Sequence, residues 1–332
     1  MAGLLLNCNG VRMKPAFTIE NTAAETFRGL GLMVCGALLL PGMDTVAKYL
    51  GSVLQVPTGE VALGRFILQA VLTVPLLLLL EGPQSFRIEK PMMHLLRGAL
   101  TGVASILFFT ALKFMPLADA ISIFFVEPFI LTILSAVVLK ETVGWHRRIA
   151  IVMGFVGALI VIRPSFAVFG VVALFPLGTA TLFSIYLLFS RQLTGTASPL
   201  AMQLYAGVGG AISVFFAMIA GTMLDVQELR LGLPTEAHVW MFMLLLGAVG
   251  LIGHFLVTFA FQLAPASMLA PFQYLEIISA TLLGFLVFGD YPDALKWLGV
   301  AIIVSSGLYL FWREQLAARQ AAPVSDEPLQ GR

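Results

Sequence analysis

The sequence predicts an all-α, polytopic membrane protein: ten transmembrane helices in two five-helix units of opposite orientation. Three observations carry this. Of 332 residues, 59% are hydrophobic and 11% charged, with a mean hydropathy of +0.96. A soluble domain is usually about 25% charged and 45–50% apolar, so this chain cannot hide its apolar surface in a compact aqueous fold. Uncharged runs of about 20 residues, the length that crosses a bilayer, recur ten times. Finally, matched residues return along the chain at nearly constant offsets.

The ten spans fall at about 30–50, 59–80, 94–112, 117–139, 147–163, 168–190, 199–222, 238–262, 267–288 and 294–312. Loop chemistry separates them: Gly82-Pro83 with Arg87, Glu89 and Lys90; Lys140-Glu141; Arg163-Pro164; Asp225 to Pro234; Asp290 and Pro292. Residues 1–28 and 313–332 read as cytoplasmic tails, and 29–164 and 165–312 as the two units. Leu4-Leu5-Leu6 is too short for a signal-peptide core of about 7–15 apolar residues.

Orientation follows from Lys and Arg, which favour cytoplasmic loops. With the N-terminus inside, 13 of the 19 basic residues fall in inside segments and 5 outside; Arg65, within the second span, is the last. Both termini are therefore expected in the cytoplasm, as an even number of spans requires. A net charge of +1 gives no field for nucleic acid, so the expected surroundings are the lipid bilayer. Two cysteines, Cys8 and Cys35, are too few for a disulfide framework or a thiolate metal site. No cofactor, metal-binding residue or catalytic residue is assigned.

The repeat pairs Gly36 with Gly178 and Pro57 with Pro199 at an offset of 142. At 149 it pairs Gly98/Gly247, Ala111/Ala260, Pro116/Pro265, Glu127/Glu276 and Glu141/Asp290. Five spans per unit make the second unit enter from the opposite side. Inverted repeats of this kind let many secondary transporters form two access states around one central site.

Ionisable groups inside the spans are the candidate site, because each needs a partner or a wet cavity. Asp44 and Lys48 stand at i and i+4 on span 1, close enough for an ion pair. Arg65 lies two turns into span 2, with Glu60 at its rim; span 4 carries Asp119 and Glu127, span 8 His254, span 9 Glu276. For Asp44, Lys48 and Arg65 two readings stay open: internal pairs such as Asp44 with Arg65, or contact with a polar solute. Glu127 and Glu276 read as functional, being repeat-related, near the midplane and without a local partner. Such carboxyls can exchange protons, which makes protons a candidate coupling ion. His254 corresponds to Ser105, and is a weaker titrating candidate. Pro116, Pro128, Pro265 and Pro271 are placed to bend spans 4 and 9, while Gly98/Gly102 and Gly247/Gly250 serve close packing. Tyr186, Tyr274 and several Phe, with Gln203 and Gln273, would suit a flat polar organic solute.

At the Pro116-to-Glu141 and Pro265-to-Asp290 segments, the chain resembles a bacterial drug/metabolite transporter of the EamA type over residues 30–312. The third helix of each unit ends in Ala-x-x-x-x-Pro, and each fourth helix closes on an acid, Leu139-Lys140-Glu141 and Phe288-Gly289-Asp290. The resemblance implies a basket of ten helices in two inverted repeats around a central cavity, in the bacterial inner membrane. At finer grain, Met43-Asp44 to Gly51, Glu60 to Phe66, His94 to Gly98 and Tyr274-Leu-Glu276 resemble the subgroup with riboflavin and S-adenosylmethionine carriers. It implies a secondary transporter of a small polar metabolite, with riboflavin uptake first and S-adenosylmethionine or amino-acid-like solutes next. The second unit lacks counterparts of Asp119 (Met268) and Arg65 (Gly207), so the site is expected to be asymmetric. An intramembrane enzyme or a channel is the remote alternative; no His-Glu-x-x-His or Gly-x-Ser-x-Gly occurs.

Overall fold

The computed structural model describes residues 23–138, 144–193, 195–264 and 266–321. The Lys140-Glu141 break, Pro265 and most of both tails lie outside them. Among the described residues there is no strand. The first repeat runs α1 (Ala23–Ser52), α2 (Thr58–Leu80), α3 (Pro91–Phe114), α4 (Leu117–Phe124), α5 (Glu127–Val138) and α6 (Trp145–Phe169). The second runs α7 (Phe175–Gln192), α8 (Pro199–Met223), α9 (Ala237–Leu263), α10 (Ala266–Gln273), α11 (Leu275–Leu283) and α12 (Ala294–Ala321).

Nine described spans of 18 to 29 residues are long and apolar enough to cross a membrane. The tenth belongs to α6, whose apolar stretch Arg148–Ile162 is shorter but sits in a 25-residue helix. At 1.5 Å per residue that helix reaches about 37 Å, more than the roughly 30 Å hydrocarbon layer. Spans 4 and 9, expected as single helices, are each broken in the middle. At the first, Pro128 lacks the N–H that a continuous α-helix needs from it, so a carbonyl one turn earlier loses its donor; at the second, Pro271 lies inside α10, which ends two residues later at Gln273. At the first break, Val126 and Phe129 N–H groups fall back on the carbonyls three residues earlier, at 3.2 and 3.0 Å. The second break leaves Tyr274 between α10 and α11.

The repeats interlock. Helix α1 packs on α9 and its counterpart α7 on α3; α3 packs on α8 as α9 does on α2. The pairs α2/α8 and α6/α12 each join a helix to its own repeat counterpart. Small residues permit these crossings: a Cβ on Gly98 would stand 2.8 Å from the carbonyls of Tyr205 and Ala206 on α8. Gly157 and Gly299 face one another in the same way between α6 and α12, with gaps of 2.9 and 2.8 Å to the opposing carbonyl.

Two ends can be distinguished. One carries Lys48, Asp119 and Lys296 and is called the Lys48 end; the other, with His94 and Arg97, is the Arg97 end. At the Lys48 end the turn Gln227–Leu229 reaches back to the core of the bundle. Glu228 accepts hydrogen bonds from the Thr58 N–H (3.1 Å) and hydroxyl (2.9 Å), and pairs with Lys113 at 2.7 Å. The carboxylate thus sits on the N-terminus of α2, where free N–H groups and the helix dipole favour an anion. Partial burial pushes its pKa up, but the bonds from Lys113 and Thr58 outweigh burial and hold it below the usual carboxylate range.

Replacing Gly98 by Val is expected to lower the melting temperature in detergent by roughly 5 °C or more. Gly31→Ala, mid-helix with open space around it, should leave it unchanged or slightly raised. Glu228 gives a pH prediction. Its lowered folded pKa contributes stability present above the unfolded value of about 4.3 and lost as pH falls through the folded value. Thermal scans from pH 6 to pH 3 should show wild type losing its advantage over Glu228→Gln; a constant gap between the two would contradict this.

Candidate functional site

Three groups of polar side chains sit at different heights. At midspan, Arg65 of α2 is the hub. Its guanidinium donates to the Ser105 hydroxyl on α3, and its other side meets His254 Nε2 on α9 at 3.4 Å. Ser105 and His254 are the 149-offset counterparts, so the repeat brings both to one cation. The guanidinium also lies over the Phe66 and Phe109 rings, at 4.9 and 5.6 Å. Asp44 and Tyr186, counterparts at the 142 offset, are both within electrostatic reach of it, and Glu276 is within reach of Asp44. Asp44, Arg65, Tyr186, His254 and Glu276 therefore come together.

The broken helices supply the second part of this midspan group. Glu127 begins α5 directly after its break, and Glu276 lies in the first turn of α11 directly after the other. Glu127 Oε1 is buried and has no hydrogen-bond partner, while its backbone carbonyl accepts from Ser184 at 3.1 Å. Phe125 and Tyr274, again repeat counterparts, pack at 5.1 Å across the two breaks, so the axis relating the repeats passes beside the glutamates. From there an aromatic row runs Phe125, Phe124, Phe183, Tyr186, with neighbouring centroids at 6.2, 5.5 and 5.2 Å. Asp44, Arg65, Glu127, Tyr186, His254, Gln273, Tyr274 and Glu276 are half-buried, and Tyr186, close to the end of α7, also lies under the Arg97 guanidinium at 4.8 Å. Accessible surface on ionisable side chains at midspan depth is what a wet cavity would provide. The Tyr274 hydroxyl fills the space beside Gly307 of α12.

Lys48 and Asp119 stand apart from this group, at the Lys48 end, and both are buried. Lys48 does not pair with Asp44. Its Nζ meets Asp290 at 3.1 Å and the Met115 carbonyl at 2.7 Å. Asp119 pairs with Lys296 at 2.6 Å and accepts from the Ser165 hydroxyl at 3.0 Å. Gln203 belongs to the Arg97 end, where its carbonyl accepts from Gln69 at 3.1 Å. Beside it, Arg97 donates to Ser190 and the Met202 carbonyl, and His94 meets Thr196. Among the described residues no three His, Cys, Asp or Glu side chains gather as a metal site. An apolar crevice lined by Leu63, Phe215, Leu231, Gly232 and Leu233 lies near the Lys48 end, and its lining carries no charge.

Sequence reasoning missed Lys296, Asp290 as the Lys48 partner, Glu228 as a clamp, and Phe183 as the link in the aromatic row. Asp290 carried a signal, as the acid that ends span 9; a lone Lys at the start of a helix carried none.

A ten-span helical bundle with paired charges at one end and ionisable groups at midspan is the architecture of a multi-pass membrane protein. The sequence profile of the EamA-like transporter family matches residues 27–163 and 169–312, one match per repeat. The chain belongs to that family, within the drug/metabolite transporter superfamily, and its setting is a membrane with a small molecule as substrate. It is 30% identical over 290 residues to a riboflavin transporter of Vibrio cholerae, covering 87% of this chain and 94% of that one. To an S-adenosylmethionine uptake transporter of Rickettsia bellii it is 24% identical over 306 residues, covering 90% and 98%. A solved crystal structure, 19% identical, superposes with a TM-score of 0.58 over 90% of this chain and 99% of its own, which shows the shared fold.

A double-mutant cycle tests whether Asp44 and Arg65 depend on each other. Arg65→Met should lower the melting temperature by several degrees, since it strands a buried carboxylate, and adding Asp44→Asn should recover part of the loss. Strictly additive effects would show that the two groups are not partners.

Proposed function

We propose that the chain is a secondary active transporter that moves a small polar organic metabolite across the bacterial inner membrane by alternating access. Riboflavin uptake is the first substrate reading. The observation that carries it is the midspan cavity wall: an aromatic row ending at two repeat-related helix breaks, each followed by a glutamate. A flat heteroaromatic ring has stacking partners there in Phe124, Phe183 and Tyr186, and Arg65, His254 and the carboxyls offer polar contacts for its substituents. The similarity to the riboflavin transporter of Vibrio cholerae supports the same reading.

One observation favours a second substrate. Asp44, Glu127 and Glu276 outnumber Arg65 in the cavity wall, which suits a solute carrying positive charge such as S-adenosylmethionine. Protons are proposed as the coupling ion, carried by Glu127 and Glu276, which lie where a carboxyl is reached from the cavity and lacks a fixed cation. Both termini are assigned to the cytoplasm on the bias of Lys and Arg, so the Lys48 end faces outward. Residues 1–28 and 313–332 are the proposed tails of this arrangement, with units 29–164 and 165–312 between them.

Thermal-shift measurements on the purified protein decide between solutes, because a ligand that binds the folded state raises stability by mass action. Riboflavin is expected to raise the melting temperature and S-adenosylmethionine to do so less; the reverse order would install the second reading. In cells that take up the stabilising solute through this protein, Glu127→Gln and Glu276→Gln should each cut uptake roughly tenfold at unchanged membrane expression. Wild-type uptake in both variants would remove the glutamates from the mechanism.

A further inference from the structure

The charges at the Lys48 end do more than satisfy one another. Each of the two ion pairs joins one repeat to the other: Lys48 of α1 to Asp290 of the loop before α12, and Asp119 of α4 to Lys296 of α12. One member of each pair is close to sealed, with side-chain exposures of 8% for Lys48 and 1% for Asp119, while Asp290 and Lys296 keep 31% and 15%. Lys48 is held further by the Met115 carbonyl and by the Phe288 ring at 4.8 Å, and Asp119 by Ser165. Any motion that parts the repeats at this end must separate both pairs.

The internal repeat tells what the opposite end has in their place. At the 142 offset Lys48 falls on Ser190, and at 149 Asp290 falls on Glu141, Asp119 on Met268 and Lys296 on Arg147. Each pair has lost one of its charges, so a symmetric exchange of the two repeats cannot rebuild them. Described contacts between repeats at the Arg97 end include hydrogen bonds, from Arg97 to Ser190 and the Met202 carbonyl, between His94 and Thr196, and from Gln69 to the Gln203 carbonyl, and the Arg97 guanidinium over the Tyr186 ring at 4.8 Å.

We infer that Lys48, Asp290, Asp119 and Lys296 form a latch, whose charge pattern the sequence repeat does not duplicate, that biases the resting transporter toward the state closed at the Lys48 end. The inference rests on the alternating-access reading. A ligand or coupling ion that opens this end must supply free energy at least equal to what separating the pairs costs, since a two-state equilibrium shifts only by a difference in affinity. The asymmetry is thus written into four positions and not into the overall fold, whose helix interfaces recur in both repeats.

The test reads conformation directly. Spin labels at Gln55→Cys and Tyr291→Cys, both exposed at the Lys48 end on opposite repeats, report its closure in protein whose Cys8 and Cys35 are Ser. Without added solute, this background, with all four latch residues intact, should give mostly one short separation. Lys48→Met with Asp290→Leu removes a pair without stranding a charge, and should raise the ratio of long to short separations roughly tenfold or more. Reversing the pair, Lys48→Asp with Asp290→Lys, should return the ratio toward that of the parent. Asp119→Asn with Lys296→Met provides a second, independent release should the first variant not fold. Unchanged distances in a folded release variant would overturn the latch. Opening on release, with no solute transported by any form including wild type, would support the latch and count against the substrate reading.

Discussion

An ionisable group inside a bilayer must be paired or wetted, and this one constraint organises the molecule. On insertion scales a charge at midspan costs about 2.5–3.5 kcal/mol before it finds a partner. The chain meets the demand in two ways. At the Lys48 end it pairs: Lys48 with Asp290, Asp119 with Lys296, Lys113 with Glu228. At midspan it does not pair fully. Arg65 stands beside Asp44, Glu276 lies within electrostatic reach of Asp44, and the Glu127 carboxyl has an oxygen with no hydrogen-bond donor. Partners at the ends and surplus acids in the middle are what a protein needs if the middle is to receive a solute.

The same constraint explains why the fourth span of each repeat is broken where it is. A backbone without its hydrogen bonds is tolerated at membrane depth only inside protein or beside a wet cavity. Pro128 creates such backbone at the first break, and the two breaks bring Phe125 against Tyr274 on the axis between the repeats. Each break is followed by its glutamate, so backbone discontinuity and midspan acid are features of one arrangement. The interlocked helix pairs, α1 on α9 and α7 on α3, then carry motion in one repeat into the other.

Much of this was legible in the sequence. Ten apolar runs, and an offset that carries Pro116, Glu127 and Glu141 onto Pro265, Glu276 and Asp290, gave the number of helices and the repeat without any structure. The offset also makes Ser105 and His254 counterparts, and the two meet at Arg65. Two things were not legible, for physical reasons. Helical periodicity places Lys48 beside Asp44 but cannot show that Asp290, 242 residues later, makes the better partner. Likewise the apolar runs around Pro128 and Pro271 read as single spans that the prolines bend, and hydropathy, which registers side chains, cannot show that each bend is a full break. Phe183 was one Phe among 26, with nothing local to distinguish it.

The central claim is that water reaches the midspan carboxyls while neighbouring positions on the same helices stay sealed. It is tested by thiol reactivity in protein whose Cys8 and Cys35 are Ser, using a water-soluble, membrane-impermeant reagent. Glu127→Cys and Glu276→Cys are predicted to react at least roughly tenfold faster than Ser122→Cys, a buried position one turn before the first break. Equal, slow reaction at all three positions would contradict the account, because the glutamates would then be sealed among side chains and could neither meet a solute nor exchange a proton.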